Sequence, residues 1–555
     1  MQRITQQRGA SVSGSSRIHS IDPGASAAST LRDIRFALVL LLLLVFASHL
    51  QAQAPTAPIA PNRYIVVYRN RTIPVDAESR TRVAGARLLH RDERLGIASV
   101  TSAPSISATS SFHARTSTDA APSDAETMRR LAAQPNVDYV LHDRIVTANR
   151  LTLQRVVPAT FSVIIGSTTQ PGTFDSFYTS SPQGWAVQQV GGYGNNVAGG
   201  PAHGPWDTTM GRGVRIAIID SGVDQNHPDI APNLALNLSE IDQTDMPSPC
   251  DDGSPQDQDG HGTWTASLAA GAIGPGTGEV IGVAPAATLL NIKALQRMPD
   301  TSLGGGASIA DQCASGEASG LLSWVMQGID DAIANHADII SLSVGATVDL
   351  TTGEGAGLKA AFDQITNDAL QAGVVIVASA GNDGLNLSDP RYVELPAQSS
   401  GVLAIAASTN PACAQNTAAG ATCTPGPVAL AYYSNYGAPL NALAAPGGSY
   451  PEGGDLAVSG WVRGACSSGK LSTLDGPPTD SGHSYGCFGF GHTPYVQAIG
   501  TSASAPLAAG AAALLRAAHP DWTAAAIIAT LRSTATPSPL LPVPQINAAA
   551  ALAAH

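Results

Sequence analysis

The sequence predicts an α/β fold: a doubly wound, mostly parallel sheet with helices on both faces, preceded by a small α+β domain. Three observations carry that prediction. Val214-Arg215-Ile216-Ala217-Ile218-Ile219 is a nearly continuous apolar run, the mark of a strand buried on both faces. Similar runs recur at 287–292, 338–343, 374–378 and 402–407, with helical stretches between several of them, at about 320–335 and 358–372. The 56 Gly and 38 Pro, with only 13% charged and 5% aromatic residues, describe a loop-rich globular chain, neither coiled coil nor disordered.

In chain order, Phe36 to Ala47 is an apolar run preceded by Arg32 and Arg35 and followed by Ala52-Gln53-Ala54. Twelve residues are short for a membrane span and match the apolar core and cleavage site of a secretory leader. Residues 1–54 are therefore read as a signal peptide with a long n-region. That implies a secreted chain, extracellular or periplasmic, with no stable membrane anchor. Residues 55–150 form a Pro/Ala linker and a small domain. Tyr64 to Tyr68 reads as a strand, 124–134 as a helix with Asp124 as N-cap, and 137–141 and 143–146 as strands. Residues 102–122 read as a Ser/Ala/Thr-rich loop. The main domain spans 151–555, with Trp185 and Trp206 anchoring its poorly patterned start.

Charge is segregated along the chain. Residues 1–150 hold 18 Arg and 11 Asp+Glu, whereas 151–555 hold 11 Lys+Arg and 31 Asp+Glu. A basic front and an acidic remainder can attract each other. The acidic main domain argues against nucleic acid as a partner. Six cysteines in an exported chain suggest three disulfides among 15 possible pairings. Proximity in sequence favours Cys413–Cys423 and Cys466–Cys487, leaving Cys250–Cys313.

The chemistry-bearing residues sit at strand ends and helix starts. Asp220 follows the first buried strand in Asp220-Ser221-Gly222. His261 lies between two glycines in Gly260-His261-Gly262-Thr263. The strand at 374–378 runs into Ser379-Ala380-Gly381-Asn382. Gly500-Thr501-Ser502-Ala503-Ser504-Ala505-Pro506 leads into an Ala/Leu-rich helix, with Pro506 expected in the first turn. Acyl transfer needs a nucleophile, a base, an acid that orients the base, and donors for an oxyanion. Ser502, His261, Asp220 and Asn382 supply one each.

These segments resemble the subtilisin-like serine peptidases, the subtilases. Supporting matches are Asn226-His227-Pro228-Asp229, Gly282-Val283-Ala284-Pro285, Tyr432-Tyr433-Ser434-Asn435-Tyr436-Gly437, Ala445-Pro446-Gly447 and His519-Pro520-Asp521-Trp522. Residues 61–148 resemble that family's inhibitory propeptide. The resemblance implies a serine endopeptidase made as a self-processing zymogen, cut near residues 145–155. Its catalytic residues would be Asp220, His261 and Ser502, with Asn382 at the oxyanion. Ser343, Val344 and Gly345 would pair with substrate as an edge strand, and Ser379, Ala380 and Gly381 would line the pocket for the residue before the cut. The implied partners are protein or peptide substrates and the chain's own propeptide. Two rival readings remain: a silent peptide-binding module, and a dedicated processing peptidase.

The chain departs from the family pattern after both signature motifs. Trp264-Thr265 follow His-Gly-Thr, and Ala503 follows Gly-Thr-Ser. The second departure implies a different wall behind the nucleophile. No cofactor is required by this chemistry. A structural Ca²⁺ is conceivable at the acidic loop Asp251 to Asp259, whose rival reading is a solvated loop. The Gly/Ser-rich insertion Gly464 to Gly491 either borders the cleft or is a surface excursion.

Overall fold

The computed structural model describes residues 56–102, 123–148, 174–179, 184–304, 306–418, 421–450, 458–467, 486–490 and 493–554. The leader, the 103–122 loop and most of the 464–491 insertion lie outside these residues. Residues 55–555 form one unit by contact.

The front of that unit is a curled antiparallel sheet: β1 (Ile59–Tyr68), β2 (Arg87–Asp92), β3 (Ile97–Thr101) and β4 (Val137–Ala148). Its helices are α1 (Ala77–Val83) and α2 (Asp124–Ala132). The sequence reading missed β2 and α1, whose half-exposed residues alternate weakly, and β3, which is buried throughout but short and carries Ser and Thr. It also split β4 in two, although 137–148 is continuous. The N-cap of α2 is Ser123, whose hydroxyl accepts from the Glu126 N–H, so Asp124 is the first helical residue and not the cap. The Asp124 carboxylate instead accepts from the Tyr64 hydroxyl at 2.7 Å.

The main sheet begins with β5 (Arg215–Asp220), β6 (Leu234–Ser239) and β7 (Thr288–Lys293). Two strands of a second ribbon follow, β8 (Leu295–Met298) and β9 (Glu317–Leu321). Then come β10 (Ile339–Leu342), β11 (Val344–Asp349), β12 (Val375–Ser379), β13 (Tyr392–Leu395), β14 (Leu403–Thr409), β15 (Ala429–Leu430) and β16 (Leu443–Pro446). The sheet order is β15-β14-β12-β10-β5-β7-β6, with β16 also against β14. Every pairing in it is parallel except β14 with β15. From β5 the chain first fills one side with β7 and β6, then the other with β10, β12 and β14. The order reverses at β5, so its carboxyl end lies at a topological switch point, where open α/β sheets bind ligands.

Alternation along the strands divides the core. Ile216, Ile218, Ile339, Val375 and Val377 face α3 (His261–Ala270) and the long α6 (Thr501–Ala518). Ala217, Ile219, Ile340, Leu342 and Ile376 face α4 (Leu322–Ala334) and α5 (Gly353–Gln371). Helices on both faces confirm the predicted fold class. Trp185 and Trp206 are buried and donate to the carbonyls of Trp461 and Val283, the expected anchoring. All three disulfides follow the favoured pairing.

The front sheet and main domain meet through β4. Its end pairs antiparallel with β11, Thr147 opposite Gly345 and Ala148 opposite Val344. Its other edge pairs with β9, Val146 opposite Gly320 and Thr147 opposite Ser319. The charge segregation in the sequence becomes ion pairs here: Arg63 with Asp245, Arg71 with Asp368, Arg94 with Asp330, and Arg144 with Glu354. Buried Asp143 accepts from the Ser323 N–H (3.2 Å) and hydroxyl (2.5 Å), which satisfies the first turn of α4.

Candidate active site

Asp220 ends β5 and is 1% exposed. Its Oδ1 accepts from His261 Nδ1 at 2.7 Å and from the Ser221 N–H at 2.7 Å, and its Oδ2 from the Thr265 hydroxyl at 3.1 Å. The carboxylate thus fixes the tautomer and orientation of the ring. Burial, the largest influence on His261, disfavours its charged form. Asp220, with Asp259 and Asp257 behind it, outweighs that and raises the His261 pKa.

The two glycines beside His261 have distinct reasons. Gly260 has φ +100°, and a Cβ there would lie 2.7 Å from Cys466 Sγ. At Gly262 a Cβ would lie 2.0 Å from the Gly222 carbonyl oxygen. The start of α3 is therefore pressed between the Asp220 turn and the Cys466–Cys487 disulfide. Trp264 and Phe488 stand edge-on to the imidazole, with ring centroids at 6.0 and 6.1 Å. Phe488 belongs to the far end of the insertion, so that end borders the site. The unusual Trp264 has a partner in this chain's own insertion.

Ser502 lies in the first turn of α6, after Gly500 at φ +151°. The helix starts at Thr501, earlier than the sequence reading placed it, so Pro506 is inside the helix and not in its first turn. The structure shows why this is tolerated. Pro506 cannot donate to the Ser502 carbonyl four residues back, and the Ser343 hydroxyl donates to that carbonyl instead, at 3.0 Å. Ser502 Oγ lies 3.4 Å from the Ser343 carbonyl. Its link to His261 is not made: Nε2 is buried without a hydrogen-bond partner. Such bonds are often open in free sites and close only with substrate.

Asn382 follows β12. Its Oδ1 accepts from the Thr501 N–H at 2.9 Å and the Thr501 hydroxyl at 2.8 Å. The NH₂ group is therefore its donating end. The two segments that the sequence suggested for an oxyanion site are tied together directly. Ala503, expected to mark a different wall, is simply buried in the apolar face of α6.

The acidic loop is held mainly by contacts within the protein. Asp251 pairs with Lys293 at 2.8 Å, and Asp259 with Arg297 at 3.0 Å, all four side chains buried. Asp257 accepts from the Ser221 hydroxyl, the Asp259 and Gly260 N–H groups, and both the N–H and hydroxyl of Thr263. Burial first, then neighbouring Asp259, pushes the Asp257 carboxyl up to about 7. Apart from Asp259 Oδ1, which is buried without a partner, the oxygens of Asp251, Asp257 and Asp259 are engaged by the protein's own cations and donors, a set that does not suit a calcium ion, and of the loop's four acids only Asp252 is exposed. Among the described residues no group of three His, Cys, Asp or Glu could hold a metal. Lys293 and Arg297 gave no sequence signal beyond being cations close after a buried strand.

The fold and this set of groups define an α/β protein with a buried Asp–His pair at a sheet switch point and a serine in the first turn of a long helix packed on the same face of the sheet. Residues 211–549 match the Subtilase family, and the chain belongs to that family. It is 30% identical to subtilisin E of Bacillus subtilis (strain 168) over 328 residues, 59% of this chain and 61% of that protein. Against the subtilisin of Bacillus pumilus it is 29% identical over 326 residues, 59% of this chain and 85% of the other. The chain thus spans about three fifths of the length of several of these relatives. Among solved structures, the epidermin leader peptide processing serine protease EpiP of Staphylococcus aureus superposes with TM-score 0.55 at 18% identity, covering 89% of this chain and 98% of that one. Fervidolysin of Fervidobacterium pennivorans gives 0.54 at 19%, covering 91% and 62%. Both support the fold.

Proposed function

We propose that the chain is a secreted serine endopeptidase, made as a self-processing zymogen, that hydrolyses peptide bonds through an acyl-enzyme. The observation that carries this reading is the buried Asp220–His261 pair at the switch point, in the same unit as Ser502 at the start of α6 and tied-back Asn382. Ser502 Oγ attacks the scissile carbonyl while His261 Nε2 takes its proton. Asp220 holds the imidazolium that forms. The oxyanion lies between the Asn382 NH₂ and the Ser502 N–H, at the positive end of α6. The imidazolium then protonates the leaving amine. Water repeats the sequence to release the acid.

Ser343, Val344 and Gly345 are the edge on which an extended peptide would pair, opposite Ser319 and Gly320. β4 now occupies that groove as a middle strand, which supports residues 55–150 as a propeptide that inhibits by filling it. The first cut then falls past the paired stretch of β4, within the expected 145–155 segment that also contains Arg150. Secretion rests on the 1–54 leader. Among the described residues no helix is long and apolar enough to cross a membrane.

A fluorophosphonate probe tests the reading. Full-length chain should process itself and label, and Ser502→Ala should do neither. A purified Ser502→Ala chain that still loses its front domain, with no other protease present, rules out self-processing. A wild-type chain that never labels favours the silent peptide-binding module, for which the open Ser502–His261 link is the one supporting observation.

A further inference from the structure

Glu394 is a buried acid that the proposed mechanism does not use. It sits within β13, 2% exposed, directly opposite Thr347 of β11. The Thr347 hydroxyl donates to its Oε2 at 2.6 Å, and its own N–H donates to Gln398 Oε1 at 2.8 Å, so the residue is held at both ends. Two positions before Thr347, Gly345 lies opposite Thr147 of β4 in the groove. On the other side, a Cβ on Gly381 would lie 3.4 Å from the Glu394 carboxyl carbon, and Gly381 immediately precedes Asn382. The carboxyl therefore stands between the strand that holds the peptide and the Ser379-Ala380-Gly381 segment.

Its chemistry there is unusual. Among the described residues no Lys, Arg or His forms an ion pair with Glu394, although Asp251 and Asp259 each have a cation. Burial above all, with Asp383 nearby adding to it, pushes the carboxyl up to about 8. A buried acid without a countercharge stays protonated, and a cation brought beside it restores the carboxylate.

We propose that Glu394 forms the floor of the pocket for the residue before the scissile bond and selects peptides with a lysine or arginine there. This rests on the peptidase reading above. The entering ammonium or guanidinium supplies the countercharge that the protein omits. A neutral side chain leaves the acid protonated and gains no ion pair. An acidic one would add a third carboxyl beside Glu394 and Asp383.

The test uses the self-matured protein and a peptide series differing only at that residue: Arg, Lys, Met, Leu, Gln and Glu. Arg and Lys should exceed Met in kcat/KM by roughly 10- to 100-fold, the range for a hydrogen bond to a charged group. Benzamidine, a small amidinium ion, should inhibit competitively. In Glu394→Gln the Arg-to-Met ratio should fall towards one and benzamidine should lose its grip. A wild-type profile that favours Met or Leu, with benzamidine inert, overturns the inference even if the variant does not fold. A protein that labels with fluorophosphonate but shows no preference overturns it equally. A protein that neither labels nor cleaves any of the series overturns the peptidase reading instead, and this inference with it.

Discussion

Two buried acidic regions lie near the proposed catalytic groups, and they are built in opposite ways. Behind His261, Asp251 has Lys293, Asp259 has Arg297, and Asp257 has five hydrogen-bond donors. Beside Gly381, Glu394 has the Thr347 hydroxyl but no cation among the described residues. Both are inaccessible to water, so both face the same desolvation cost. The first region meets it with permanent partners and so becomes scaffold. The second meets it by keeping a proton, which leaves its charge conditional on what arrives. Pairing separates carboxylates that hold the site from one that can read a substrate.

Breaking a permanent pair should have the largest effect. Arg297→Met, made in the Ser502→Ala background to prevent self-digestion, leaves Asp259 buried without its cation. It should cost about 3–5 kcal/mol, read as a lowered melting temperature. An unchanged Tm would erase the distinction. The next effect is on activity. Asp220, Asp259 and Asp257 together raise the His261 pKa, and the base works only when neutral. The acid limb of kcat/KM should therefore rise at a pH above that of an ordinary imidazole. A limb at or below the ordinary value would mean that burial outweighs the carboxylates. The smallest effect is at Glu394. Its folded pKa of about 8 exceeds the ordinary 4.5, so the protonated form favours the folded state. That contribution is full below about 4.5, declines as pH rises, and is gone above about 8. Glu394→Gln should flatten this slope in Tm against pH. At low pH it should cost no more than one ordinary hydrogen bond, ~0.5–1.5 kcal/mol. A large loss at every pH would show that Glu394 is scaffold like Asp259.

A second contrast, between the front sheet and the main domain, explains what could be read from sequence. The central strands β5, β7, β10, β12 and β14 are almost wholly buried, so their residues are nearly continuously apolar and their ends are legible to within a residue or two, whereas β6, whose residues are exposed or half-buried, was missed. Of the front strands, β2 is mostly half-buried and carries Arg and His, while β3 is buried throughout but only five residues long, with Ser and Thr among its apolar residues. Their pattern is weak, and they were missed. The same logic holds at the site. Asp220, His261, Asn382 and Ser502 stand in short motifs at strand ends and helix starts, where sequence carries the signal. Thr265, Lys293, Arg297 and Glu394 have no such local mark, because each matters only for a neighbour brought by another strand.

By itself, the sequence determined the fold class, favoured the disulfide pairing that the structure shows, and pointed to the family and the four groups proposed for the chemistry. Each is encoded locally, by apolar periodicity, by cysteine spacing or by a motif of a few residues. Only the tertiary structure decided that the acidic loop is sealed by Lys293 and Arg297 and does not suit calcium. It also revealed that Ser343 compensates for Pro506 within α6, that Phe488 backs His261, and that Glu394 lies under Gly381. These depend on partners 13 to 227 residues apart in the chain. Burial then sets what a neighbour is worth: out of water, one cation or its lack decides whether a carboxyl is charged.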